Sequence, residues 1–278
     1  MSVNSVPAIL EKVYFNEIDS PLLAYRRNVA SQDGEDGIID KIFDVVGTKN
    51  KYCIEFGAWD GKHLSNCWNL IANQNWGGCF IEGNAEKYGQ LERNIAQYSH
   101  VVCVNTFIDV DGDNCLDRVL ERCGAPLQPD FLSIDVDGVD YHIWASLTRY
   151  SPRVVVIEFN PSVPNDVIFV QASNLQINQG SSLLALILLA KQKGYELVCC
   201  TTCNAFFVQR DLYGLFGIVN NGINVMYRPI SDGRIFHGYD SYIFVTGMPK
   251  MLWSDIPVNS SDFQVIPEVM RRFGDAQR

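Results

Sequence analysis

The sequence predicts an α/β protein built on a mostly parallel sheet with helices on both faces. Three observations point there. From residue 51 onward, strand-like apolar runs alternate with helical segments. Residues 52–66, YCIEFGAWDGKHLSN, read as a buried strand that ends in a glycine turn and feeds a helix. Such a turn brings backbone N–H groups close to a bound small molecule. Finally, five successive strand runs end in acids or amides, which an open parallel sheet gathers at one crevice.

In chain order, residues 1–30 show no clear periodicity and read as a leader or a partner contact. SQDGED (31–36) then offers capping residues and early acids to a helix carrying Ile38, Ile39, Ile42, Phe43 and Val46. Strands are expected at 52–56, 78–82, 101–107, 131–136 and 154–159. Helical segments lie between them near 64–73, 85–98, 114–122 and 141–147. A longer helix at 181–193 precedes two strands, 196–201 and 205–209, close enough to pair antiparallel and bringing the strands to seven. Stretches 161–179 and 220–239, rich in Asn, Gly and Pro, read as loops or a small cap. We expect one domain over 1–278: the leader (1–30), a ligand-binding core (31–212) and a C-terminal extension (213–278). Exposed Met251, Leu252 and Trp253 suit that extension either to close a cap or to form a homodimer contact.

Composition removes several classes. At 47% hydrophobic and 19% charged residues the chain is ordinary globular protein, not disordered. A net charge of −10 argues against a general nucleic-acid binder. The longest apolar run, 183–190, is too short to span a bilayer, and the N-terminus lacks the basic start and apolar core of a secretory signal. No nucleic-acid or membrane partner is therefore expected. The nine cysteines are odd in number. Most sit in strand runs (Cys53, Cys79, Cys103, Cys199, Cys200), so they read as buried thiols of a cytoplasmic protein. Cys199, Cys200 and Cys203 lack a second pair or a nearby His, which speaks against zinc.

The strand ends carry the chemistry. Glu55, Gly57 and Gly61 follow the first strand, and their spacing is not the GxGxxG of dinucleotide folds. An acid two residues before the first glycine suits a ligand with an ammonium group, which favours S-adenosylmethionine over NAD. Glu82 ends the second strand, where an acid accepts both ribose hydroxyls. The third run ends near Asn105, Thr106 and Asp109, the fourth in SIDVDGVD with Asp135, Asp137 and Asp140, the fifth in IEFN with Glu158 and Asn160. Asp135, Asp137, Glu158 and Asn160 make an oxygen-rich set suited to Mg²⁺ or Ca²⁺.

EFGAWDG, the IEG after the second strand, FLSIDVDG and VVVIEFN, in that order, resemble the FkbM-type branch of the class I S-adenosylmethionine-dependent methyltransferases. The resemblance runs from about Ser31 to Leu212 and takes in SQDGED, GSSLLALILLAKQKGYELV and NAFFVQRDL. It implies a Rossmann-like class I methyltransferase fold and S-adenosylmethionine as cofactor. By the same resemblance, Glu55 holds the methionine ammonium, directly or through water, and Gly57, with Gly61 in the same turn, lets the backbone approach. Glu82 binds the ribose, Asp109 or its neighbours meet the adenine amine, and Asp135 stands on the cofactor side as well. Ser65 and Asn66 open the next helix and are placed to bond the cofactor carboxylate.

The acid set is also similar to that of metal-dependent O-methyltransferases. That similarity implies a cation on Asp135, Glu158 and Asn160 and a proton acceptor in Asp137, although Glu-x-Asn departs from their adjacent pair. Without a metal, His142 or His63 is a candidate base. Trp59 is a candidate stacking residue and Asn204 a candidate substrate contact. The expected reaction is methyl transfer to an oxygen of a small molecule, natural product or sugar. N-methylation is the alternative within the class; a nicotinamide-dependent oxidoreductase and a non-catalytic binding module are the readings outside it.

Overall fold

The order of seven strands defines the molecule. In the computed structural model, which describes residues 18–230 and 233–271, they run β3-β2-β1-β4-β5-β7-β6. These are β1 (Tyr52–Phe56), β2 (Gly77–Glu82), β3 (Val101–Asn105), β4 (Phe131–Ile134), β5 (Val154–Glu158), β6 (Tyr195–Cys200) and β7 (Asn204–Gln209). The first five are parallel, and β7 enters antiparallel between β5 and β6. This is the Rossmann-like methyltransferase arrangement. After β1 the chain moves outward through β2 and β3, then returns to place β4 on the other side of β1. A crevice opens at the carboxyl ends of strands where the order reverses in this way.

The strands are largely apolar because both sheet faces are covered, with their polar residues mostly near the ends. α1 (Glu35–Val46), α2 (Trp68–Gln74) and α3 (Ala85–Ile95) bury Ile38, Ile42, Leu70 and Leu91 on one face, against Cys53, Phe80, Phe131 and Val156. α4 (Leu116–Arg122), α5 (Asp140–Ser146) and α6 (Leu183–Gln192) bury Val119, Trp144 and Leu186 on the other, against Ile54, Phe56, Leu132 and Ile157. Alternate residues of each strand thus enter opposite cores, as a period of two requires.

Several boundaries differ from expectation for physical reasons. α2 begins at Trp68, not near residue 64, because Leu64 sits at φ 56° and Ser65 and Asn66 are turned inward onto Glu55. β3 ends at Asn105, whose side chain donates to the Glu82 carbonyl at 2.8 Å, and Phe107 leaves the sheet. The start of α1 is capped not by a side chain but by Gly34 at φ 89°. Asp36 instead accepts from the backbone N–H groups of Val29, Ala30 and Ser31 at 2.7–2.9 Å and closes the SQDGED loop.

Beyond β7, the stretch expected as loop at 220–239 contains a strand. β8 (Arg234–His237) pairs antiparallel with β9 (Ile243–Thr246), and Phe236 stacks on Phe244 at 5.0 Å. Arg234 pairs with Asp166 at 3.2 Å, tying this hairpin to the 161–180 loop. Of the expected leader, residues 1–17 lie outside the described residues, and Leu22 is buried in the α1 face. Among the described residues no helix is long and apolar enough to cross a membrane.

The opposite end of the sheet is locked by one buried ion pair. Asp130 accepts from Arg153 Nη1 at 2.6 Å and from the backbone N–H groups of Lys49, Asn50 and Lys51 at 2.7–3.0 Å. Arg153 also donates to the carbonyls of Gly47 and Val46, fixing the end of α1. Asp130→Ala leaves a buried guanidinium unpaired, so urea unfolding is expected to show a loss of about 3–5 kcal/mol.

Candidate active site

The site is built around Glu55. It ends the central strand with only 5% of its surface exposed, where an uncompensated carboxylate is costly. Ser65 Oγ donates to its Oε2 at 2.5 Å and the Asn66 backbone N–H to its Oε1 at 2.8 Å. The Asn66 side chain donates in turn to Ser133 Oγ on β4 at 3.0 Å, joining the two strands that flank the crevice. Burial pushes the Glu55 carboxyl up to about 7, even though these hydrogen bonds pull it down. Ser65 and Asn66 line the crevice; the Ser65 hydroxyl is given to Glu55, and the Asn66 amide gives one of its two N–H groups to Ser133. Both thus support the acid, and Asn66 keeps one donor.

The two glycines of the turn differ in place, one at the crevice and one away from it. Gly57 has φ 74°, and a Cβ there would lie 1.7 Å from the Asp135 carbonyl oxygen. The space it leaves is taken by the end of β4, although its backbone still lines the crevice. Gly61, at φ 77°, faces Leu91 of α3 and stays outside the crevice lining.

Glu82 closes the adjacent strand, 7% exposed. Its Oε2 accepts from Trp59 N–H at 2.8 Å and its Oε1 from Asn84 N–H at 2.7 Å, which leaves each oxygen a further lone pair. Glu82 therefore fixes the β1 loop, and that loop carries Trp59, over whose ring Lys87 Nζ lies at 3.6 Å. Past β3 the crevice wall is Thr106, Phe107 and Ile108. Phe107 is 65% exposed and lies over Gly83, where any Cβ would strike its ring. Asp109 forms a bridge with Cys115 and does not line the crevice, so Phe107 and Ile108 take the place expected for it.

Asp135, Asp137 and Glu158 come together, with one carboxylate oxygen of each within 4.8 Å of the others. Among the described residues this is the His, Cys, Asp or Glu group with metal-ligand spacing. Burial first, and repulsion among neighbouring acids second, push the Asp135 and Glu158 carboxyls well up. Asp140, the first residue of α5, ties down the loop before it: it accepts from Val136 N–H at 2.9 Å and Gly138 N–H at 2.8 Å, leaving Asp135 and Asp137 available.

Two expected participants are engaged elsewhere. The Asn160 amide oxygen accepts from Ser162 N–H at 2.9 Å and Ser162 Oγ at 2.6 Å, while its nitrogen donates to the Gln179 carbonyl. It shapes the 160–180 loop, and Asp137 stands in its place beside Asp135 and Glu158. His142 Nε2 donates to the Gln171 carbonyl at 2.7 Å and lies outside the crevice lining. It anchors the same loop. His63 does line the crevice, edge-on to Trp59 at 5.2 Å. Asn204 is buried and donates to Glu35 at 3.3 Å, away from the lining.

These groups face a crevice of about 570 Å³, within the range of small-molecule and cofactor sites. Seven described non-glycine residues have positive φ, and four of them (Trp59, Leu64, Asp137, Trp253) line it. Backbone strain of this kind concentrates at functional sites. No family model matches the chain, and no curated protein does. Solved structures do resemble it. One is the N-terminal domain of EvdMO1 with SAH bound (13% identity, 66% of this chain and 82% of that one, TM-score 0.43). Another is a putative sarcosine dimethylglycine methyltransferase from Galdieria sulphuraria (13%, 68% and 71%, 0.39). A SAM dependent methyltransferase from Aquifex aeolicus is a third (9%, 69% and 97%, 0.38). Likenesses this distant leave the chemistry to be argued from the chain's own residues.

Gln32, Lys87, Phe107, Leu175, Ile177, Asn178 and Cys203 also line the crevice and were not expected there from the sequence. Gln32 carried a usable signal, because it lies in SQDGED. Lys87 comes from the first turn of α3, and the others come from loops whose return to the crevice has no periodic signature.

The Glu55 carboxyl titrates near 4.5 when unfolded and near 7 when folded. Between those values the folded state holds the extra proton, so this group's contribution to stability falls as pH rises. From pH 4.5 to above pH 7, wild type is expected to lose about 3 kcal/mol more stability than Glu55→Gln, read from urea melts across that range.

Proposed function

We propose that this chain is an S-adenosylmethionine-dependent methyltransferase acting on a hydroxyl of a small molecule, natural product or sugar. The observation that carries the reading is the pair Glu55 and Glu82, buried acids at adjacent strand ends and lining one crevice. The remaining lone pairs of Glu82 suit a ribose diol. Each oxygen of Glu55 accepts one hydrogen bond and likewise keeps a further lone pair, so it would meet the methionine ammonium directly or through water. The Phe107 ring and Ile108 offer an apolar wall for adenine. The FkbM-type motifs support the same reading and favour natural products or glycans as acceptors. The buried free thiols Cys53, Cys67, Cys79, Cys199, Cys200 and Cys203 suit a cytoplasmic location.

When bound, S-adenosylmethionine supplies a methyl group on a sulfonium, and attack by the acceptor oxygen breaks the carbon–sulfur bond and leaves a thioether. The residues' work is alignment and proton removal. Asp137, the exposed member of the acid trio, is placed to take the acceptor's proton. Asp135, Asp137 and Glu158 also have the chemistry to hold Mg²⁺ or Ca²⁺, which would supply acidification of an acceptor hydroxyl.

Titration calorimetry tests the cofactor. S-adenosylhomocysteine is expected to bind with micromolar affinity and NAD not at all, and Glu82→Ala is expected to weaken binding at least about tenfold. Binding of NAD, or of neither ligand, would sink the reading. For the cation, Mg²⁺ or Ca²⁺ added to metal-stripped protein is expected to give saturable heat that Asp137→Asn removes. Unchanged heat in that variant would rule out the trio as the site.

A further inference from the structure

A second cavity, of about 1160 Å³, lies between the 159–180 loop and the C-terminal segment 248–255. Asp137, Glu158, Asn178 and Trp253 line both it and the crevice, so the two spaces meet at two acids of the trio. Anything seated in the second cavity reaches those acids from a space that Glu82 and Phe107, which belong to the crevice alone, do not line.

Its walls are of two kinds. The inner end carries the carboxylates of Asp137 and Glu158. The rest of the lining carries apolar groups, Met251, Leu252 and Trp253 from the C-terminal segment and Phe159 and Phe169 from the loop, beside the polar Lys250 and Asp255. Trp253 is 72% exposed and adopts φ 60°, which is costly for a bulky residue unless its surroundings impose it. They do. Met251 N–H donates to the Ile256 carbonyl at 2.9 Å, Val258 N–H to the Pro249 carbonyl at 3.0 Å, and Lys250 pairs with Asp255 at 2.9 Å. A closed turn thus holds an indole in solvent, beside two carboxylates.

We propose that this second cavity is the acceptor pocket and that it takes a pyranose-type polyhydroxylated ring stacked on Trp253, with hydroxyls on Asp137 and Glu158. This deepens the methyltransferase reading and rests on it. A pyranose ring has a C–H face that packs on an indole and a rim of hydroxyls that donate to carboxylates. A simple apolar acceptor would leave the acids without donors. A cationic amine would be drawn by the same acids, because Lys250 is already paired with Asp255, and is therefore the competing acceptor in the test.

The test uses the full chain saturated with S-adenosylhomocysteine and a panel of methyl hexopyranosides, followed by saturation-transfer NMR. At least one glycoside is expected to bind, with affinity reduced at least about tenfold in Trp253→Ala, largely restored in Trp253→Tyr, and abolished in Met251→Arg. Calorimetry on Met251→Arg, whose residue lines the second cavity and not the crevice, should give an S-adenosylhomocysteine affinity within about threefold of wild type. Glycoside binding indifferent to these substitutions would overturn the pocket, as would binding of alkylamines or catechol with no glycoside bound. Loss of S-adenosylhomocysteine binding already in wild type would instead overturn the cofactor reading beneath it, and the acceptor role with it.

Discussion

The burial of one carboxylate at the end of the central strand organises the functional half of this protein. Glu55 cannot sit at 5% exposure unaided, and the chain answers by turning Ser65 and Asn66 inward. That turn delays α2 to Trp68 and forces Leu64 to positive φ. It also frees the Asn66 amide to reach Ser133 across the crevice floor. The loop between Gly57 and Leu64 is held at its other side by Glu82, through Trp59 N–H. Two acids on neighbouring strands thus clamp one loop, and the loop's aromatic residue faces the crevice already positioned. A site organised in this way needs little rearrangement when a ligand arrives.

The same arrangement concentrates negative charge. Glu35 and Asp36 at the start of α1 are essentially buried, and both Asp36 and Asp135 contribute to the upward push on neighbouring acids. With Glu55, Asp135 and Glu158 they surround the carboxyl ends of β1, β4 and β5 and the amino end of β7 on the α1 side of the sheet. Acids gathered this closely favour a cationic guest, because a positive centre relieves repulsion that hydrogen bonds only partly offset. A sulfonium with an ammonium, or a divalent cation at the trio, would do so. A nicotinamide dinucleotide, whose pyrophosphate is anionic, gains nothing from such a field.

Much of the fold was legible because a doubly covered parallel sheet writes itself as short apolar runs, each closed by polar residues. All seven strands fall where those runs lie, to within a few residues. The acids at their ends were legible for the same reason. Hydrogen bonding was not. Nothing in SIDVDGVD says that Asp140, not Asp135 or Asp137, takes the loop amides. Nothing in IEFN says that Asn160 turns to Ser162 and Gln179. His142 lies two residues past Asp140, yet one turn of helix directs it to Gln171. Each is a choice between partners of equal chemistry, decided by tertiary placement that residue spacing does not encode.

The crevice and the cavity beside it show why that limit matters for function. The cofactor side is assembled from strand ends, whose positions follow from the sheet, whereas the cavity's outer wall comes from residues 248–255, a long way along the chain from β1. A direct displacement needs donor and acceptor in line, with the proton acceptor at the acceptor oxygen. Among the described residues, those that line both spaces are Asp137, Glu158, Asn178 and Trp253. Two of them are carboxylates, one is an amide and one is an aromatic face, so the junction contains a base, polar anchors and a stacking surface. On the proposed reading, a methyl group crossing from one space to the other must pass that junction. The sheet would then fix where the donor lies, and the tail of the chain would govern which acceptor can be brought to meet it.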